Sequence, residues 1–281
     1  MKWQGRQGSD NIEDRRGMST GKMAVGGGIG TIVIVIIVLL LGGDPSQVMN
    51  SLQEGVPATE SGQIITTPEE DEMARFVSVV LKDTETVWSR LFEQSGSVYR
   101  KPTLVMFREQ VQSACGLASS ASGPFYCPGD DKVYIDLSFF DDLKTKFGAY
   151  GDFAIAYVIA HEIGHHVQNL LGILEQVNSQ RSRLSEKESN QLLVRLELQA
   201  DFLAGVWAHY EHEMNYLEDG DIEEAMNAAA SVGDDVLQKK YQGRVIPDAF
   251  THGSAQQRKT WFLKGWTTGD IHQGNTFDSE I

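Results

Sequence analysis

A chain of 281 residues that is 41% hydrophobic and 22% charged has the composition of an ordinary globular protein, with room for one or two domains. Its net charge of −15 argues against a nucleic-acid-binding role and against adhesion to an anionic membrane surface. No internal repeat is apparent.

Residues 1–22 mix Lys2, Arg6, Arg15, Arg16 and Lys22 with Asp10, Glu13, Asp14, Gly and Ser, and read as a short disordered tail. Residues 23–43 carry no charge, and their centre is the continuous apolar run Ile32–Leu41. As a helix this stretch spans roughly 30 Å, the length of one transmembrane crossing. The run is long for a signal peptide, and no small-x-small site closes it cleanly. Lys and Arg precede the segment, and none follows until Arg75. The charge asymmetry places the N-terminus in the cytoplasm and everything after Asp44 outside it. Residues 44–66, rich in Ser, Gly, Gln, Thr and Pro, read as a tether.

Thr67-Pro68-Glu69-Glu70 predicts a helix start with a capping box and Pro in the first turn. Met73, Phe76, Val77, Val80, Val87, Trp88, Leu91 and Phe92 continue at mostly helical spacing to Gly96 and read as a core face. Thr103–Phe107 reads as a strand, as does Lys132–Leu137. Between them stand the only two cysteines, Cys115 and Cys127, which form a disulfide if the domain lies outside the cytoplasm.

Phe153–Ala160 is almost wholly apolar and predicts a buried helix, with Asp152 as its N-cap and Gly172 as its stop. It runs into His161-Glu162-Ile163-Gly164-His165-His166. An H-E-x-x-H match arises by chance in roughly one chain in eighty of this composition. The apolar setting therefore carries the argument, because a buried helix does not gather a Glu and three His without partners for them. His161 and His165 project from one helix face, where one Zn²⁺ takes both imidazoles. Glu162 lies about 100° round, within reach of a water at the metal, and suits the general base. His166 points away from the ligand pair.

A zinc site needs a third protein ligand. Gln168 and Leu171 stand where a metzincin has Gly and His, which excludes that class. A helix predicted over Ser189–Tyr210 carries Glu197 and Asp201 at i and i+4 on one face. H-E-x-x-H followed by E-x-x-x-D resembles the gluzincins. That resemblance implies Glu197 as third ligand and Asp201 as the partner that orients His161. It also implies that the 133–137 strand is an edge along which an extended peptide substrate pairs. The chain is more similar still to the neutral zinc metallopeptidases of bacterial membranes. The shared features are the basic amino terminus, the single apolar segment, the Cys-bounded Gly-Pro-Phe-Tyr-Cys-Pro stretch, the Val133–Phe140 stretch and the motif helix.

Asp221–Gln238 predicts an Ala-rich helix. His209 and His212 read as a solvated helix end. Thr251-His252-Gly253 with Arg258 resembles a segment of CAAX-prenyl-protease-like gluzincins, which implies His252 as an oxyanion ligand; capping of the next helix is the other reading. Residues 271–281 read as a mobile tail.

The expectation is a mainly helical α+β, gluzincin-like zincin domain over 67–270, with a small sheet, preceded by one transmembrane helix at 23–43. One Zn²⁺ per chain is held by His161, His165 and Glu197. The function is that of a membrane-anchored endopeptidase on the periplasmic side of a bacterial inner membrane, acting on protein or peptide substrates. The alternative is a non-catalytic zinc-binding interaction module, against which the presence of Glu162 argues, since the metal does not require it.

Overall fold

The Thr67 hydroxyl accepts the Glu70 N–H at 3.2 Å, and the Glu70 carboxylate accepts the Thr67 N–H at 3.0 Å. This reciprocal cap opens α1 (Pro68–Gln94), whose Phe76, Val77, Val80, Leu81, Val87 and Trp88 are buried along one face. The structure, a computed structural model, describes residues 1–17 and 66–281. These form a mainly helical α+β arrangement with small sheets. β1 (Ile12–Asp14) precedes α1; β2 (Thr103–Phe107), the hairpin β3 (Gln110–Ser113) and β4 (Gly116–Ser119), β5 (Phe125–Cys127) and β6 (Lys132–Asp136) follow it. The rest is helical: α2 (Ser138–Thr145), α3 (Asp152–Leu170), α4 (Ile173–Arg181), α5 (Glu186–Glu213), α6 (Asp221–Ser231), α7 (Asp234–Gln242) and α8 (Ala255–Thr268).

The main sheet has the order β1-β2-β6-β5, with β1, β2 and β6 parallel and β5 antiparallel to β6. The strand expected at 133–137 as a substrate-pairing edge is therefore internal. Val133, Tyr134 and Ile135 are buried, and β2 and β5 occupy both of its sides. Near-continuous apolar character marks a strand covered on both faces, which is what this one is. The edges are β1 and β5.

Residues 1–17 are not a disordered tail. Ile12–Asp14 pairs with Leu104–Met106, and Lys132 Nζ meets Glu13 at 2.5 Å. Arg6 pairs with Asp83 and stacks 3.3 Å above the Tyr216 ring. The charges that read as solvated have partners far along the chain. Nor is the C-terminal stretch 271–281 loose: Thr276 is buried, its hydroxyl donates to the Arg195 carbonyl at 2.6 Å, and Gly274 O accepts from Gln199 at 2.9 Å. The expected crossing at 23–43 and the tether over 44–65 lie outside the described residues. Among the described residues no helix is long and apolar enough to cross a membrane.

The helix expected over 221–238 is two helices, α6 and α7. At the break, a Cβ on Gly233 would stand 2.4 Å from Ala255 N, so the chain there lies flush against the start of α8. α8 in turn crosses α5 at two glycines. A Cβ on Gly205 would meet Phe262 O at 2.0 Å, and one on Gly265 would meet Phe202 O at 2.0 Å. That backbone-to-backbone approach brings the N-terminal half of α8 alongside the middle of α5.

Candidate metal centre

α3 presents two polar stripes from an otherwise apolar helix. Tyr157, His161, His165 and Gln168 lie at i, i+4, i+8 and i+11 and face α5; Glu162, His166 and Asn169 lie at i, i+4 and i+7 and adjoin β5.

On the first stripe the ring nitrogens are fixed by their partners. His161 Nδ1–H donates to Asp201 Oδ1 at 2.8 Å. His165 Nδ1–H donates to Gln168 Oε1 at 2.9 Å, and that amide is oriented by its own donation to Leu196 O at 2.7 Å. Both Nε2 atoms are left as lone pairs, and both face one carboxylate: His161 Nε2 is 3.2 Å from Glu197 Oε2, and His165 Nε2 is 3.5 Å from Glu197 Oε1. Three acceptors turned on one another repel unless a cation or protons lie between them. His161, His165 and Glu197 each offer a ligand atom, all within 4.8 Å of one another. This donor set fits Zn²⁺, with two imidazoles and one carboxylate leaving a position open. The field agrees. Burial disfavours the His161 imidazolium, but Asp201 and Glu197 overcome that and hold its pKa up at about 10. Burial likewise opposes ionisation of Glu197, yet the His165 and His252 charges and the imidazole hydrogen bonds hold it well below the carboxylate range.

Behind the donors sits a closed polar web. Asp201, fully buried on α5, takes His161 Nδ1–H, the Tyr157 hydroxyl and a two-pronged contact from Arg258, with Nε at 2.8 Å and Nη2 at 3.0 Å. Arg258, itself buried on α8, also reaches the Tyr157 hydroxyl at 3.1 Å. Burial alone would neutralise Asp201, but the Arg258 charge and the His161 contact hold its pKa at about 2. The carboxylate therefore stays ionised and fixes the ring orientation of His161.

Glu162 is buried beside the donors and is not one of them. Burial raises its pKa, and the nearby His165 and His161 only partly offset this. Cys127, at the end of β5, is bonded to Cys115, which fastens the edge strand to the β3–β4 hairpin. His252 stands at the margin of the centre, in the loop before α8. Asp234 Oδ2 accepts the N–H groups of Thr251, His252 and Gly253 at 2.7, 2.7 and 2.9 Å, and Asp234 Oδ1 is 3.4 Å from His252 Nδ1. Ser254, not His252, caps α8. Burial opposes the His252 imidazolium, but Glu197 and Asp234 raise its pKa.

The structure thus brings His161, Glu162, His165, Glu197 and Asp201 into one centre and sets His252 at its edge. Three residues of that centre were given no role from sequence, Tyr157, Gln168 and Asp234, and Arg258 was named only as part of the segment around His252. Tyr157 and Gln168 were within reach, since they extend the ligand stripe by one turn in each direction.

The chain is 49% identical to the uncharacterized protein YpfJ of Escherichia coli strain K12, over the whole of both chains. It is 40% identical to the uncharacterized protein Mb2605 of Mycobacterium bovis and to the uncharacterized protein Rv2575 of Mycobacterium tuberculosis, over 86% of this chain and 85% of theirs. No solved structure matches. Residues 1–277 match a single family description, and the donor set at His161, His165 and Glu197 is in keeping with it: the chain belongs to the family described as "Putative neutral zinc metallopeptidase".

Proposed function

We propose that this protein is a zinc-dependent endopeptidase in which His161, His165 and Glu197 hold the metal and Glu162 moves the proton. The observation that carries this reading is the place of Glu162. It is buried, one residue from His161 and outside the donor set, with its pKa raised by burial, the direction a general base needs. A structural zinc site has no use for such a group.

When bound, zinc supplies Lewis-acid polarisation and makes water more acidic. Glu162 takes the proton of the attacking water and returns it to the leaving nitrogen. Asp201, clamped by Arg258, keeps the His161 ring from turning. His252, whose pKa Glu197 and Asp234 raise against the effect of burial, donates to the oxyanion of the tetrahedral intermediate. The substrate lies extended along β5, the edge strand beside Glu162, which takes the place expected of the 133–137 strand. The uncharged run 23–43 supports attachment of the chain to a bilayer.

The test is cleavage of unfolded casein by the full-length chain, purified in detergent, with zinc measured in the same sample. The reading expects about one zinc per chain, activity abolished by chelation and activity restored by zinc. Cleavage untouched by chelation would refute it, as would a zinc-free active protein.

A further inference from the structure

The first stripe of α3 does not end at the donors. It continues, through two side-chain amides, into the stretch after α8. His165 Nδ1–H donates to Gln168 Oε1 at 2.9 Å. The Gln168 Nε2 group uses both its protons, one on Leu196 O at 2.7 Å and one on Gln199 Oε1 at 3.1 Å. Gln199, on α5, donates from its own Nε2 to Gly274 O at 2.9 Å. Gln168, Gln199 and Gly274 are all buried, so each depends on its protein partners.

An amide has a donor end and an acceptor end, so a row of them carries a direction. Gly274 O only accepts. It turns the Gln199 NH2 group toward itself and the Gln199 carbonyl toward Gln168. That carbonyl, together with Leu196 O, turns the Gln168 NH2 group away from α3 and leaves its carbonyl facing His165. The ring nitrogen that meets this carbonyl must carry hydrogen, which leaves Nε2 as the lone pair on the side of Glu197.

The far end of the row is itself held in place. A single 3-10 turn, Ile271–Gln273, opens where Asp270 Oδ1 accepts the His272 N–H at 3.0 Å. Just past it Gly274 lies flush on α5, where a Cβ would stand 2.5 Å from the Phe202 ring. Two residues on, the Thr276 hydroxyl donates to Arg195 O at 2.6 Å, and Arg195 Nη1 donates back to Thr276 O and to Ser279 O, the latter at 2.8 Å. Arg195 and Gln199 stand at i and i+4 on α5, so the stretch is pinned along one helical turn.

We propose that Gln199 is a positioning residue for the metal centre and that the stretch 271–276 belongs to that centre: Gly274 O, through the Gln199 and Gln168 amides, fixes His165 as the Nδ1–H tautomer with Nε2 free for a metal. His161 takes its orientation from Asp201 and Arg258 instead, so the two histidines are set by separate networks. The consequence for the metal rests on the zinc reading; the direction of the amide row does not.

Gln199→Leu keeps the bulk of the side chain and removes both its hydrogen bonds. Gly274→Ala leaves both amides in place and pushes the terminal carbonyl off Phe202. The full-length protein is used, with two readouts: competitive zinc titration, and solvent exchange of the two histidine Nδ1 protons followed by NMR. For Gln199→Leu we expect zinc to bind about ten-fold more weakly. We also expect the His165 Nδ1 proton to exchange about ten-fold faster while the His161 Nδ1 proton is unchanged. Gly274→Ala should move both readouts the same way by less, and it decides alone if Gln199→Leu does not fold. Unchanged exchange at His165 would overturn the proposal, and so would equal acceleration at both rings, the mark of a general loosening. Undiminished zinc affinity would overturn it as well. If the wild type binds no zinc, the zinc reading fails, while exchange in the metal-free protein still decides whether the amide row sets His165.

Discussion

Gly164 lies bare against the backbone of Ala200: a Cβ at position 164 would stand 3.0 Å from the Ala200 carbonyl oxygen and 3.1 Å from its Cα. Gly164 falls between His161 and His165 of α3, and Ala200 falls between Glu197 and Asp201 of α5. This close approach of the two helices is made between the candidate metal donors, and it fixes how far Glu197 stands from both imidazoles. Gly164→Val should force the helices apart, costing about 1–3 kcal/mol of stability as overpacking does. It should also weaken zinc binding. Thermal unfolding and a competitive zinc titration check this, and full zinc affinity in a destabilised variant would show that the contact does not set the site.

Arg258 and Asp201 form a buried pair whose loss should reach the metal. Arg258→Met leaves the Asp201 carboxylate buried with its main counter-charge gone, which typically costs about 3–5 kcal/mol. His161 then loses a fixed partner, so zinc should bind about 10–100-fold more weakly. Chemical denaturation and zinc titration measure both, and a variant that loses stability but holds zinc as tightly would confine Arg258 to packing.

The candidate centre was largely legible in the sequence because its polar residues break a strong pattern: His161, Glu162 and His165 interrupt an apolar helix, as Glu197 does 36 residues after His161, with Asp201 one turn further on. Helical spacing alone put the first pair on one face. Arg258 was not legible as a partner, because a buried guanidinium in a polar helix start looks solvated until α8 is laid across α5. The first 17 residues misled for the same reason. Arg6 finds Asp83 and Glu13 finds Lys132 only after the sheet and α1 have assembled. The apolar, β-branched and aromatic run in Lys132–Asp136 marked a strand but did not say that both its sides are paired.

Glu211 gives a pH test of the packing around Arg6. It is fully buried with neither carboxylate oxygen partnered, and Asp83 lies near it. Burial, and after it the Asp83 charge, raises its pKa well above the ordinary 4.5. The folded state thus keeps a proton that the unfolded state gives up above pH 4.5, so this group's effect on stability turns increasingly unfavourable as pH rises. Glu211→Gln removes that burden. Its melting temperature should match wild type near pH 4.5 and exceed it increasingly toward pH 8. A gain that shrinks as pH rises would contradict the assignment.

Placement of residues 1–17 bears on topology. β1 pairs with β2, and Arg16 donates to Glu70 O at 3.2 Å and pairs with Asp71 at 3.3 Å. Paired strands lie about 4.8 Å apart, and a bilayer core is roughly 30 Å thick. A single crossing by 23–43 and this packing cannot hold in one chain at once. A Cβ on Gly8 would stand 3.1 Å from Ser78 Cβ, so cysteines at both positions should cross-link under mild oxidation in intact membranes. Failure to cross-link there would mean that the N-terminal strand is detached in the membrane.

Glu162→Gln tests the central claim most directly, because it removes the base and keeps size, polarity and all three metal donors. Zinc content and casein cleavage are measured on the same full-length sample. We predict stoichiometric zinc, wild-type thermal stability or better, and activity lower by at least ~10²-fold, the low end for general acid–base catalysis. A Glu162→Gln protein that holds its zinc and cleaves as wild type would contradict the account.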